Sequence, residues 1–154
     1  MAPKKPYLGA GFLTFLGINW VQGSILGPMM MFAPRLFFSI NKQIGLLVGD
    51  SPELLDRLAE ESHFGTRFLG AAIVTLETVL CYLIYTKPES RDLYLLNFFW
   101  MLTSGTGGLL FYWDTGMKCG LPLVAQSAFW GVGYWMLYQN PPVKNAPLAK
   151  AIHS

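Results

Sequence analysis

Charge is scarce in this chain of 154 residues: Asp, Glu, Lys and Arg together make up 13%, against about 25% in an ordinary soluble domain. Cysteine and histidine are scarcer still, with two of each. The few charges fall in clusters, leaving charge-free stretches of 21 to 29 residues from Lys5 to Arg35, Asp92 to Asp114 and Lys118 to Lys144. Such a distribution excludes a soluble enzyme and a nucleic-acid-binding module. Cys81 falls in an apolar stretch and Cys119 in a short loop, so they read as packing residues, not as the framework of a disulfide-stapled domain. A net charge of +2 is too small to imply an anionic partner.

What fills the gaps is Leu, Phe, Trp, Met and Gly, with 53% of the chain hydrophobic and 15% aromatic. Each gap matches the roughly 20 residues that a helix needs to cross a bilayer. The pattern predicts an all-α integral membrane four-helix bundle forming one domain over residues 1–154. Its spans lie at about 8–32, 64–85, 93–113 and 121–138, with an interfacial segment at 33–62 and a polar tail at 140–154. The first apolar run follows Lys4 and Lys5 but is far longer than a signal h-region, so it reads as an uncleaved helix. Pro28 is placed to kink or end that helix.

The segment 33–62 mixes charged residues with Leu36, Phe37, Phe38, Ile44, Leu46 and Leu47, which suits a membrane surface. At its end Ser51 or Asp50 can cap, Pro52 suits the first helical position, and Glu53 complements the positive helix end. No breaker follows until Pro88 apart from Gly65 and Gly70, which predicts one long helix. Four spans put both termini on one side. That side carries Lys4, Lys5, Lys87, Arg91, Lys144 and Lys150 against Arg35, Lys42, Arg57 and Lys118 opposite, so the tails face the cytosol, matrix or stroma. The basic, uncleaved start favours the mitochondrial inner membrane, with the endoplasmic reticulum or thylakoid as alternatives.

Glu77 is the one acid deep in a span, about 15 Å from either end at 1.5 Å per residue. An ionisable group there is a functional candidate by default. Asn19, Gln22, Thr103 and Ser104 lie at similar depth and are expected to form a polar layer around it. Glu77 then acts either as a proton carrier or small-molecule site, or as a hydrogen-bonded tie between helices; the absence of a second ionisable group at its depth favours the tie. Asp56, His63, Gly70 and Glu77 recur every seven residues, with Glu60 and Arg67 beside them at the interface, where Arg67 can snorkel to headgroups.

Glu60 and His63 have the Glu-x-x-His spacing of di-iron bundles, but one such motif without further span acids leaves too few ligands. No metal site is expected; His63 remains a candidate axial ligand. Gly23 and Gly27, Gly105 and Gly108, and Gly131 are expected at close helix contacts. Trp130 and Tyr134 are too central for an aromatic belt alone. For a bound group, phospholipid ranks ahead of a pigment, haem or quinone at a shared interface, and none is intrinsic.

The stretch HFGTRFLGAA (His63 to Ala72), preceded by a short surface segment, resembles the DoxX-like small four-helix membrane proteins. The region from His63 through RDLYLLNFFW (Arg91 to Trp100) is loosely similar to the ergosterol-biosynthesis scaffold family. Both likenesses are of hydropathy and topology over about residues 60–140, and neither assigns a role to any residue. The expected function is a non-catalytic accessory subunit of a larger membrane complex of respiratory or photosynthetic type. Its partners are membrane lipids and other membrane subunits, not nucleic acid. The alternatives are a stand-alone carrier or lipid-modifying protein centred on Glu77, or a scaffold for membrane-bound sterol or lipid enzymes.

Overall fold

A computed structural model describes residues 10–61 and 63–142, and the side chains of these except at 10, 61 and 63. Among them the regular structure is entirely helical: α1 (Ala10–Phe32), α2 (Pro34–Leu47), α3 (Pro52–Glu61), α4 (His63–Thr86), α5 (Arg91–Thr115), a 3-10 turn (Lys118–Gly120) and α6 (Leu121–Gln139). The four long helices occupy the apolar stretches of the sequence. They pack as two close pairs, α1 with α4 and α5 with α6.

Glycine sets both pairings. A Cβ on Gly70 would lie 2.7 Å from the Gly27 carbonyl oxygen and 2.8 Å from the Met31 nitrogen, so α1 and α4 touch backbone to backbone. In the second pair a Cβ on Gly120 would lie 2.8 Å from the Gly108 carbonyl, and one on Gly105 would press on Ser127 at 3.2 Å. Such close approach of backbones maximises van der Waals contact between the paired helices. Gly131 also faces α5, less tightly, since a Cβ there would meet Met101 at an ordinary 3.6 Å.

The two pairs meet over a core of Leu16, Cys81, Ile84, Tyr94, Met101, Trp130 and Tyr134. Phe15 of α1 presents its ring edge-on to Trp130 and Tyr134 of α6, with centroids 4.8 and 5.3 Å apart. It fits there because residue 133 is glycine, where a Cβ would lie 2.5 Å from the ring. Trp130 and Tyr134 are therefore core residues and not an interfacial belt.

One expectation about breaks is corrected. Of the two roles open to Pro28, it does not end α1, which runs on to Phe32; the chain bends by 116° at Ala33, where Pro34 opens α2. Within the predicted long helix from Pro52 to Pro88, the described helical residues are α3 (Pro52–Glu61) and α4 (His63–Thr86). α3 packs on α2, with Leu55 against Gly45 and Lys42 paired to Asp56. Position 62, between them, lies outside the described residues.

Among the described residues, α4 from Phe64 to Thr86 is apolar enough to cross a membrane by itself, with a mean hydropathy of 1.9, and the bent pair α1–α2 counts as a second candidate. The α5 and α6 helices have the length, at 25 and 19 residues, but their glycines, hydroxyls, Tyr and Trp dilute the hydropathy. Only 22% of the α4 window is buried within the chain. Its apolar surface faces outward.

Candidate functional site

The deep carboxylate is tied across the α1–α4 contact. Asn19 on α1 is 3% exposed, and its Nδ2 donates to Glu77 Oε2 at 2.5 Å and lies 3.8 Å from Cys81 Sγ. The space for the Glu77 side chain comes from Gly23, where a Cβ would sit 2.7 Å from Glu77 Cγ. The Gly23/Gly27 pair thus divides its work: Gly27 lets the backbones touch, and Gly23 admits the acid. From α5 the Trp100 indole also faces the carboxyl. Tyr134, fully buried nearby, has a hydroxyl with no hydrogen-bond partner among the described residues.

The rest of the expected polar layer is directed elsewhere. Gln22 Oε1 accepts from Trp130 Nε1 at 3.1 Å, which ties α1 to α6 instead of to Glu77. Thr103 is exposed and returns its hydroxyl to the Phe99 and Trp100 carbonyls of its own helix at 3.0 and 2.9 Å. Ser104 is half-buried. Depth was readable from the sequence, but helix rotation was not, and rotation decides which groups of one layer meet. Glu60 is exposed on α3 and Arg67 is exposed on α4. The side chain of His63 lies outside the described residues, so the axial-ligand expectation is not addressed there. Among the described residues no three His, Cys, Asp or Glu side chains gather around one point.

A second polar feature went unread in the sequence. Asp50, in the turn between α2 and α3, accepts from the Lys118 and Cys119 backbone N–H groups at 2.6 and 2.7 Å. Those amides open the 3-10 turn, so the carboxylate satisfies donors that helix starts leave free. Gly49 turns the chain toward them with φ of 84°. Burial, followed by the charge of Asp50, pushes the Cys119 thiol up to about 11. In the sequence Asp50 looked like a cap for α3. Beside it the Ser51 hydroxyl donates to Glu53 at 2.6 Å and holds that carboxyl below its usual range.

Of the grooves between the helices, two adjoin polar residues named above. One, of about 410 Å³, lies between α1 and α4 and is walled by Leu13, Leu16, Trp20, Tyr82 and Tyr85, with Thr78 and Cys81 as its polar atoms. The other, of about 630 Å³, lies in the angle between α1 and α2 and includes Arg35 and Arg67. Compared with family models, curated proteins and solved structures, the chain gives no match.

Proposed function

We propose that the protein is a membrane-embedded four-helix bundle that serves as a non-catalytic subunit of a larger membrane assembly. The carrying observation is the distribution of polarity. Asn19, Glu77, Gln22 and Asn97 turn inward, whereas Ile18, Ile25, Phe68, Leu110, Trp113, Phe129, Val132 and Met136 stand more than half exposed or otherwise face out of the bundle. Monomeric soluble proteins rarely expose apolar patches beyond a few hundred Å². The Asn19–Glu77 bond supports the role of tie between helices, a contact worth about 0.6–2 kcal/mol in membranes. Because the glycine seams are used within the chain, partner subunits would meet the aromatic outer faces of α5 and α6. The mitochondrial inner membrane is the favoured location, with both termini on the matrix side.

Gentle extraction from the native membrane tests this reading. The chain is expected to migrate with other subunits, and recovery as a free monomer or homo-oligomer would count against it. A second reading, a lipid or small-molecule carrier, draws on the 410 Å³ groove, which reaches Cys81 beside the Asn19–Glu77 pair. Glu77→Gln separates the two. As a tie, the amide keeps the contact to Asn19 and leaves assembly and activity of the complex unchanged; as a carrier, turnover is lost while assembly persists.

A further inference from the structure

We propose that the angle between α1 and α2 binds the phosphate of an anionic glycerophospholipid between Arg35 and Arg67. Arg35 stands in the first turn of α2, just past the 116° bend, and Arg67 near the start of α4. The packing of Gly70 on Gly27 and Met30 presses the start of α4 against the end of α1, which brings both arginines to one groove of about 630 Å³. Both are exposed, and among the described residues neither has an ion-pair or hydrogen-bond partner. The carboxylate of Asp56, on the neighbouring α3, is already engaged by Lys42.

The chemistry of the groove selects its ligand. A guanidinium offers five donors and no acceptor, and its fork matches phosphate oxygens in pairs. Two unpaired guanidinium groups in one recess call for an anion. The other lining residues, Phe32, Ala33, Pro34 and Leu36, are apolar, with Phe32 76% exposed, and Phe68 beside Arg67 is 73% exposed. A free phosphate would satisfy the arginines and leave this wall bare. A zwitterionic lipid would bring a choline cation toward two arginines. An anionic headgroup with its acyl chains along Phe32 and Phe68 satisfies both halves, at the depth where snorkelling arginines meet headgroups.

This inference rests on the membrane location proposed above and not on the subunit role. The full chain is reconstituted in phosphatidylcholine nanodiscs, with and without phosphatidylglycerol, and the lipid retained on mild extraction is counted by native mass spectrometry. Wild type is expected to retain phosphatidylglycerol over phosphatidylcholine. Arg35→Gln and Arg67→Gln should each lower that preference by about fivefold, and the double variant should abolish it with helical content unchanged. Arg57→Gln, on exposed α3 outside the groove, should leave it intact. Retained preference in the double variant, or equal loss in Arg57→Gln, overturns the site. Full displacement of the lipid by inorganic phosphate alone overturns the lipid as ligand. Failure to enter discs of any composition overturns the membrane location as well, whereas entry without lipid preference overturns the site only.

Discussion

Single residues divide here into those whose role is local and those that reach across the molecule. Asp50 belongs to the second group, since its carboxylate joins the α2–α3 turn to the 3-10 turn 68 positions later. Asp50→Asn replaces one acceptor oxygen with a donor that faces an N–H. Charged hydrogen bonds of this kind contribute about 1.5–3 kcal/mol, so thermal unfolding in detergent should show a loss of that order. The same substitution reports on Cys119. With its thiol raised to about 11, the thiolate fraction near neutral pH is small and grows about tenfold per pH unit below that value. Alkylation of Cys119 should therefore be slow at neutral pH, accelerate steeply toward pH 11, and become faster in Asp50→Asn because the neighbouring negative charge is gone. Cys81, 5% exposed, serves as the unreactive internal control. An unchanged rate in the variant would refute the electrostatic link.

At the scale of elements, the two helix pairs differ in what a methyl group does to them. Gly70 faces backbone atoms of α1 that have nowhere to go, whereas nothing lies within 4 Å of a Cβ at Gly107. Gly70→Ala should destabilise by about 1–3 kcal/mol, the usual cost of overpacking. Gly107→Ala should stay within about 1 kcal/mol of wild type, on the stabilising side if helix propensity carries over. Equal effects would mean that α1 and α4 do not touch at Gly27. Half of each seam was legible in the sequence, Gly27 in the first and Gly105 and Gly108 in the second, because closely spaced small residues have few other uses in an apolar helix; Gly70 and Gly120, which meet them, were not assigned to packing. The meeting of Asn19 with Glu77 was legible too. Gln22 and Thr103 were assigned to the same layer because depth follows from counting residues, but the direction each faces depends on how α1 and α5 are rotated. That rotation is fixed by contacts such as Phe15 on Gly133 and Gly108 on Gly120, which join positions far apart in the chain.

For the molecule as a whole, the number of crossings depends on whether α5 and α6 enter the membrane. If all four long helices cross, the α4–α5 turn and the α5–α6 turn lie on opposite faces of the membrane. If only α4 and the bent α1–α2 pair enter it, both turns share a face. Single cysteines at Glu89 and Asp114, both exposed, should react with an impermeant maleimide from opposite sides of sealed vesicles. Labelling from one side would reduce the bundle to two crossings. The Asp50 clasp also imposes a chronology on biogenesis. Neighbouring α5 and α6 can meet as a hairpin as soon as both are made, but α1 must wait for α4 while α2 and α3 are laid down between them. The carboxylate at position 50 waits longer still, for two amides that leave the ribosome after α5. Its closure is thus a late event, one that registers the arrival of the second helix pair against the first.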